Sequence, residues 1–461
     1  MRIGEFLVFT NFKKKNLVRK NPVRTVCFSF VTIILVGTFL LMLPISSNKG
    51  ENASFLDCLF TATSSTCVTG FTTKDTFTQW SNFGRTVILI LIQTGGLGLI
   101  TFSSFFLLIL NNKLSLKNMK LASSQINIKN FADIKTLFKN LLLITFICEF
   151  VGAIILSFPF CKRFGSYGIF MAIFSSVASY CNAGLDVNGL IYKNCSFIPF
   201  NKNYLVIITM SLLTFLGGIG FVVVNEIINL KKSKIKLQNL SINSKIAIFG
   251  SLFLVLFGTI GFFLLEYNVS LKDLTTIDKF FNSFFVSTAA RTSGFTTVDF
   301  SRITNLTKLF LCILMFIGAN PTGTAGGIKI STIIIILSTV SYVIKNKREN
   351  SIFNHKINQQ ITYKAIALFF LSLTLILVGG YLIWENNSKL GLSNIFFSVT
   401  SAFSTTGFQA IDSNLFSDFS KYILIILMYI GRIGPISFAL IFKLKAKSSK
   451  QILLPEADLY V

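Results

Sequence analysis

Long apolar runs alternate with polar stretches along almost the whole chain. Several of these runs reach the roughly 18 to 20 residues that a helix needs to cross a hydrocarbon layer about 30 Å thick. Examples lie at 25–43, 86–110, 204–228 and 365–384. Each is predicted to be a membrane-spanning helix. No small-residue cleavage pattern follows the first, so we predict that it is retained rather than removed as a signal peptide.

Shorter, half-apolar segments lie between the long runs and end close to a glycine. They extend over residues 54–65, 169–180, 278–290 and 393–403. With 11 to 13 residues each, they are too short to cross the bilayer as helices. We therefore predict that each one enters the membrane and turns back, as the helical part of a re-entrant loop.

One short motif recurs where these segments end. Its copies are T-C-V-T-G-F-T-T at 66–73, Y-C-N-A-G-L-D at 180–186, R-T-S-G-F-T-T at 291–297 and S-T-T-G-F at 404–408. A single copy would indicate only a turn. The central glycines, however, are spaced 114, 110 and 113 residues apart, and such even spacing indicates a repeated structural unit.

The repeats predict an all-α membrane protein built from four fused units around a pseudo-fourfold pore. Each unit has a spanning helix, a pore loop and a second spanning helix, which gives eight spanning helices. The predicted divisions are an N-terminal arm at 1–20, repeat 1 at 21–112, repeat 2 at 113–230, repeat 3 at 231–344, and repeat 4 with the C-terminal tail at 345–461.

Composition and charge agree with this topology. The chain is 52% hydrophobic and only 13% charged, with a formal net charge of +25. Lys and Arg cluster at 13–24, 113–139, 231–245, 345–356 and 443–450, between apolar runs or at a chain end. The positive-inside rule places these clusters, and both termini, in the cytoplasm. A nucleic-acid role is disfavoured because no aromatic-interleaved basic surface accompanies the charge.

The glycine motifs have the chemistry of a cation pathway. Irregular backbone is tolerated at membrane depth where protein buries it or where it lines a water-filled cavity. Four loops around one axis can form rings of carbonyl oxygens that replace the hydration shell of a cation. Glycine suits the central position because it adopts conformations closed to other residues. Thr69, Ser293 and Thr406 could add further oxygen ligands, which hard cations prefer.

With these motifs the chain resembles the membrane subunit of the Trk/Ktr/HKT superfamily of potassium transporters, of the Ktr type, over about 21–447. The resemblance implies a K+ selectivity filter with one strand in each unit. The second strand departs most from the others, which leaves sodium permeation open. The implied filter residues are Val68, Thr69, Gly70, Phe71, Asn182, Ala183, Gly184, Leu185, Thr292, Ser293, Gly294, Phe295, Thr405, Thr406, Gly407 and Phe408.

A run rich in glycine, G-A-N-P-T-G-T-A-G-G at 318–327, interrupts the apolar span 308–342. Proline and four glycines disfavour a continuous helix, and the spacing to Lys329 does not fit a phosphate-binding loop. The resemblance implies an intramembrane loop that hinders ions until the protein is activated. The implied gate residues are Gly318, Asn320, Pro321, Thr322, Gly323, Thr324, Gly326, Gly327 and Arg432.

Arg432 lies inside the last apolar run, where a charge is costly and usually faces the protein interior. The equivalent positions in the other units are Gly96, Gly218 and Ala319. Arg432 is therefore predicted to lie near the axis, where its charge would repel cations. A structural salt bridge to Glu226 or Glu149 is the alternative. The glycine clusters at 95–98 and 217–220 are interpreted as close contacts between helices.

The resemblance also implies a homodimer and a cytosolic ring of nucleotide-binding regulatory subunits. The basic loops suit such a ring or anionic lipid. No covalent cofactor and no enzymatic activity are predicted; K+ is the expected cargo and Na+ a candidate activator, in a bacterial plasma membrane. A sodium- or proton-coupled carrier and a non-transporting scaffold remain alternatives, as does a Cys161–Cys195 disulfide.

Overall fold

A computed structural model describes residues 22–48, 53–98, 132–191, 193, 195–233, 240–321, 323–346 and 349–442. The predicted N-terminal arm, most of the basic segment at 113–139 and the C-terminal tail lie outside these ranges. Within them the chain is almost entirely α-helical. One two-stranded antiparallel hairpin, formed by β1 (Ser351–Ile352) and β2 (His355–Lys356), joins two of the helices.

The helices of the first half of the chain are α1 (Pro22–Met42), α2 (Phe55–Cys67), α3 (Thr76–Gln79), α4 (Asn82–Leu97), α5 (Ala132–Phe164), α6 (Tyr167–Cys181), α7 (Tyr204–Ile219) and α8 (Phe221–Ser233). Those of the second half are α9 (Ile242–Glu266), α10 (Thr276–Ala289), α11 (Asn305–Phe316), α12 (Ile330–Ile344), α13 (Gln359–Asn386), α14 (Leu392–Ser404), α15 (Asp418–Ile433) and α16 (Pro435–Phe442). The short segments that the sequence predicted as re-entrant helices correspond to α2, α6, α10 and α14.

In the part of the chain that the structure describes, three helices are long and apolar enough to cross a membrane: Lys139–Phe164, Ile242–Glu266 and Gln359–Asn386. A fourth candidate span is the pair α7 and α8, which bends by 93° between them. The prediction of one continuous helix over 204–228 is therefore wrong, because Gly220 (φ 95°, ψ 131°) ends α7. The eight predicted spans stay a prediction.

Large apolar side chains cover the outer faces of these long helices. Phe150 and Phe158 on α5 are 68% and 69% exposed, and Phe253 and Leu264 on α9 are 66% and 70% exposed. Water would penalise such a surface, whereas lipid tails would not. The outer face of the helical bundle therefore suits a bilayer.

The helices α2, α6, α10 and α14, here called the central helices, lie at the middle of the molecule. Nearly all residues of α2 are buried. A capping box begins it: Ser54 accepts from the backbone of Asp57, and the Asp57 carboxylate accepts from the Ser54 N–H. In α10, Thr275 accepts from the backbone of Asp278 in the same way. Local sequence therefore fixes where these two helices begin, despite their burial.

The helix that follows each central helix ends at a matching place. Gly98, Gly220 and Gly434 end α4, α7 and α15 with similar dihedral angles, φ 79° to 95° and ψ 131° to 135°. Only glycine adopts that region easily. The third of these helices, α11, ends at Phe316, before the glycine-rich segment. The interruption predicted for the third unit therefore has counterparts in the second and fourth units, where α8 and α16 follow the glycine.

Small residues also let these helices approach the central helices closely. A Cβ atom added to Gly95, Gly217 or Gly431 would overlap a backbone carbonyl oxygen at the end of a central helix. Those oxygens belong to Thr66, Tyr180 and Phe403. The predicted close helix contacts at the first two glycine clusters are confirmed. No disulfide joins Cys161 and Cys195, since the thiol of Cys195 donates to Asn188 O at 3.4 Å.

Candidate functional site: a ring of four glycine loops

Four loops, residues 68–71, 182–185, 292–295 and 405–408, follow the central helices and are called the first to fourth glycine loops. Each begins with a residue at positive φ: 57° at Val68, 62° at Asn182, 78° at Thr292 and 53° at Thr405. Such dihedrals are rare for β-branched residues and cost on the order of 1–3 kcal/mol each. Three of these residues are β-branched, so backbone strain is concentrated at the first residue of the glycine loops.

The glycines of the four loops meet in a closed ring. A Cβ atom on Gly70 would lie 2.8 Å from Ala183 O, and one on Gly184 would lie 2.7 Å from Ser293 O. Continuing in the same direction around the ring, a Cβ on Gly294 would overlap Thr406 O, and one on Gly407 would overlap Thr69 O. The order around the ring is first, second, third, fourth loop, so the second and fourth loops lie opposite each other.

The last residue of each loop anchors it in the surrounding helices. Phe71, Phe295, Phe408 and Leu185 are all at most 1% exposed. The three phenylalanines make edge-to-face contacts with other rings, for example Phe408 with Phe300 at 4.5 Å between centroids. Because these side chains pack away from the ring, the loops present backbone rather than side chains near the glycines.

A cavity of about 310 Å³ opens at the ring and is lined by all four glycines. Four aspartates also line it: Asp75, Asp186, Asp299 and Asp412. Sequence reasoning missed them, although three lie five residues after their loop glycine and the other lies two residues after. A carboxylate recurring at that offset was the available signal. The cavity therefore has an acidic wall and a backbone floor.

Each aspartate is held by a turn of its own. One carboxylate oxygen accepts from the backbone N–H two residues later: Phe77, Asn188, Ser301 or Asn414, at 2.9 to 3.1 Å. Asp299 also pairs with Arg302 at 3.2 Å. Burial is the main cause that raises the pKa of the Asp186 carboxyl to about 7; the hydrogen bond from Asn188 opposes this shift and the nearby Asp75 charge adds to it.

The segment 317–329, between α11 and α12, contacts the ring from the other end. Its backbone is tied to the end of α7, because Asn320 N donates to Gly218 O and Thr324 N to Gly217 O, both at 3.2 Å. These carbonyls have no acceptor role within α7 once the helix ends at Gly220. The broken helix and the interrupting segment thus satisfy each other's backbone groups.

The side chain of Asn320 extends this anchoring into α9. Its amide nitrogen donates to Ser251 Oγ at 2.8 Å, and Arg291 Nη2 donates to the same hydroxyl at 3.0 Å. Arg291 directly precedes the third glycine loop. The structure links that loop to segment 317–329 through one serine.

Arg432 contacts carbonyl oxygens rather than carboxylates. It donates to Thr324 O in segment 317–329 and to Gly95 O at the end of α4, with a further contact to Gly96 O at 3.4 Å. Among the described residues the salt-bridge alternative is wrong, since Glu149 accepts from Gln93 and Glu226 from Ser241. A cation at the C-terminal end of a helix is electrostatically favourable.

A second cation, Lys329, lies on the same segment. Its Nζ donates to Ala325 O at 2.6 Å and approaches Gly326 O at 3.3 Å. Three consecutive carbonyls, those of residues 324 to 326, therefore face cationic side chains. Sequence reasoning considered Lys329 only as a failed phosphate-binding lysine, since nothing in the sequence showed that the segment folds back on it.

The structure brings most predicted gate residues together. Gly323 packs against Gly218 O, and Gly326 lies against Thr405. A Cβ atom added to Gly318 would lie 2.6 Å from Gly326 O, so Gly318 also packs closely against the segment. Pro321 is exposed and Gly327 has a positive φ of 66°. Thr322, also predicted as a gate residue, lies outside the described residues.

Comparison with known proteins identifies the family. The family model described as TrkH, cation transport protein, matches residues 3–452. The chain belongs to the TrkH family. Membership of a cation transport family agrees with the predicted resemblance and with the prediction that the chain is not an enzyme.

Two curated relatives of this TrkH family member match nearly end to end. The chain is 34% identical over 446 residues to the Ktr system potassium uptake protein B of Bacillus subtilis, covering 96% of this chain and 97% of the relative. It is 32% identical over 446 residues to the potassium/sodium uptake protein NtpJ of Enterococcus hirae, covering 96% of both.

The fold also matches a solved TrkH structure. The potassium transporter TrkH from Vibrio parahaemolyticus aligns with a TM-score of 0.72 over 93% of this chain and 86% of that one, at 17% identity. At that identity the likeness supports the fold alone. It confirms the predicted all-helical membrane-protein class.

Proposed function

We propose that this chain mediates K+ uptake across the bacterial plasma membrane through a gated pathway along the axis of the glycine ring. The observation that carries the proposal is the closed ring of Gly70, Gly184, Gly294 and Gly407 at the floor of an acidic cavity. Backbone carbonyls in a ring can replace water around a dehydrated cation. The relatives named as potassium uptake proteins support K+ as the cargo.

In this proposal the four glycine loops are the selectivity filter, and four repeats with eight spanning helices surround it. The similar endings of α4, α7 and α15 support the repeats. The central helices direct the negative ends of their dipoles toward the ring, which favours a cation there. The four aspartates raise the local cation concentration at the mouth of the cavity.

Segment 317–329 and Arg432 form the gate in the state that the structure describes. The segment contacts the second and fourth glycine loops at their first residues, Asn182 and Thr405, whereas the cavity is lined by the glycines and residues that follow them. Arg432 fastens the segment to the end of α4, and its positive charge would oppose a passing cation. Opening requires that these contacts separate.

The basic cytoplasmic loops would bind a ring of nucleotide-binding regulatory subunits or anionic lipid, and two copies of the chain would form a homodimer. Na+ is retained as a second permeant ion or an activator, since one relative is named as a potassium/sodium uptake protein. Both termini are proposed to lie in the cytoplasm.

Isotope flux into liposomes containing the purified chain tests the proposed function. We expect uptake of K+ and Rb+ to exceed uptake of Na+, and we expect expression of the chain to restore growth of a K+-uptake-deficient bacterial strain on low K+. Liposomes with protein that take up neither K+ nor Na+ above the protein-free level would contradict the proposal. Repeating the flux measurement with a regulatory subunit added would show the effect of that subunit on flux separately.

A sodium- or proton-coupled carrier is the second candidate, and one observation favours it. Glu149 is a buried acid within a spanning helix, 5% exposed, and it accepts from Gln93 Nε2 at 3.0 Å. Carriers commonly use such intramembrane acids. Coupling would require that K+ accumulation collapse when the Na+ or proton gradient is removed at constant membrane potential, and that Glu149→Gln abolish this dependence.

The acidic cavity predicts a pH dependence of uptake. Burial raises the pKa of Asp186 to about 7, so its carboxyl is charged at pH 8 and becomes neutral as the pH falls through 7. Losing one of four negative charges should lower uptake from dilute K+ by about twofold between pH 8 and pH 6. Initial uptake rates at several external pH values would measure it.

Asp186→Asn should remove most of this dependence and give the low rate at both pH values. Asp412→Asn is the matched control, because Asp412 lines the same cavity and is held by the same type of turn. It should lower the rate at both pH values and keep the change between them. A profile unaltered by Asp186→Asn would exclude Asp186 as the titrating group.

A further inference from the structure

The segment 317–329 touches two glycine loops that lie opposite each other. On one side it contacts Asn182, the first residue of the second loop, and on the other side Thr405, the first residue of the fourth loop. The ring order given above places these two loops across the axis from each other. The segment therefore extends across the end of the ring rather than along one edge.

The contact with the second loop runs through the hydroxyl of Thr324. The side-chain amide of Asn182 is oriented with its nitrogen toward two carbonyl oxygens and its oxygen toward a hydroxyl. In this orientation the nitrogen donates to Ser179 O at 2.9 Å and to Thr214 O at 3.2 Å. Its oxygen then accepts from Thr324 Oγ1 at 3.2 Å. The same hydroxyl lies 3.4 Å from Tyr180 O. The hydroxyl of Thr324 thus lies between the Asn182 side chain and the last turn of α6.

The contact with the fourth loop leaves little free space. Gly326 N donates to Thr405 Oγ1 at 3.1 Å, and a Cβ atom on Gly326 would overlap that side chain. A Cβ atom on Gly327 would lie 3.3 Å from Ser404 Cα. The segment is therefore seated against the fourth loop with glycine at both points of contact.

The backbone of the second loop does not itself require asparagine. The equivalent first residues Val68, Thr292 and Thr405 adopt the same positive φ with β-branched side chains. Asparagine differs from them because its side-chain amide accepts from Thr324 and also donates to the carbonyls of Ser179 and Thr214. The departure of the second loop from the common motif thus coincides with its contact to segment 317–329.

We propose that residues 323–327 dock on the second and fourth glycine loops, and that Asn182 is a positioning residue for this docking rather than a determinant of ion selectivity. The inference rests on the proposed function, since it assigns the unusual filter residue to the gate. Docking at two opposite loops holds the segment across the axis. Loss of either contact favours the open state.

The test is the K+ leak of proteoliposomes that contain the chain without any regulatory subunit. Asn182→Val, which copies the residue of the first loop, and Thr324→Val should each raise the leak about fivefold, as expected for one lost hydrogen bond in a two-state gate. Because both variants remove the bond between Thr324 and Asn182, the increase in leak of the double variant should be smaller than the product of the two single increases. The K+/Na+ flux ratio should stay at its wild-type value.

Two further variants separate docking from a general loss of packing. Thr324→Ser keeps the hydroxyl and should restore a leak close to that of the wild type. Thr259→Val removes a buried hydroxyl that bonds only within α9, to Val255 O at 2.7 Å, and should not raise the leak. Elution of all variants as monodisperse protein in detergent checks that they fold.

Several outcomes would overturn the inference. A changed K+/Na+ ratio in Asn182→Val with no rise in leak would assign Asn182 to selectivity. If the increase in leak of the double variant equalled the product of the two single increases, the two residues would act independently. Either result, with wild-type K+ flux intact, overturns the docking while the proposed function stands. A wild-type chain without K+ flux would overturn both.

Discussion

Replacing Gly407 by alanine should abolish K+ uptake, with a loss of at least about tenfold in initial rate. The added Cβ would overlap Thr69 O and lie 2.9 Å from Gly70 Cα, and the residue has a φ of 92°. The backbone of two neighbouring loops would have to move to admit it. Since the carbonyls of the ring are the proposed ion ligands, that movement should remove their geometry. Uptake in a K+-uptake-deficient strain and liposome flux would measure the loss.

Gly391→Ala is the matched control for backbone strain. Gly391 also has a positive φ, 80°, but its added Cβ would meet only Asn394 Nδ2, at an ordinary 3.7 Å. This variant should therefore share the conformational strain and retain uptake. Wild-type rate and ion preference in Gly407→Ala would contradict the assignment of the glycine ring as the filter.

The second large effect is expected from Arg432→Gln, which should raise the leak of K+ in the absence of any activator. The guanidinium donates to both Thr324 O and Gly95 O, and hydrogen bonds from a charged group are worth about 1.5–3 kcal/mol each. Losing one such bond from the closed state would shift a two-state gate by about tenfold or more toward opening. Efflux of a K+ isotope from preloaded liposomes would show it.

Arg85→Gln provides the comparison, because Arg85 is buried and, like Arg432, donates to two backbone carbonyls, Trp80 O at 2.8 Å and Phe77 O at 2.9 Å. It lies far from segment 317–329 in the fold, so any instability from losing a buried arginine should appear without a rise in leak. Arg432→Lys keeps the charge but not the planar fork, and an intermediate leak is expected. A leak unchanged in Arg432→Gln would exclude the arginine from the gate.

The sequence predicted the parts of the fold that depend on local pattern. Apolar runs and glycine spacing identified the central helices to within a few residues, and the capping residues Ser54 and Thr275 define where two of them begin. The bend of 93° after α7 was missed. An apolar run has the same hydrophobicity whether straight or bent, and the glycine that ends the helix was interpreted only as a packing residue.

The candidate site was predicted less completely, since its contacts join distant parts of the chain. The glycine loops and Arg432 were identified from repetition and from a charge in an apolar run. The partners of Arg432 could not be, because Thr324 and Gly95 are 108 and 337 residues away. Lys329 was missed for the same reason, because its role depends on a segment that folds back on it. The four cavity aspartates were also missed, although three of them recur five residues after their loop glycine.

The glycine ring has a consequence for how this protein can vary. Each of its four contacts joins a glycine to a different neighbour, namely the carbonyl of Ala183, Ser293, Thr406 or Thr69. In a homotetrameric channel one codon alters all four quadrants together, whereas here one codon alters a single quadrant. A single substitution can therefore change one quadrant of the ring while the residues of the other three stay the same.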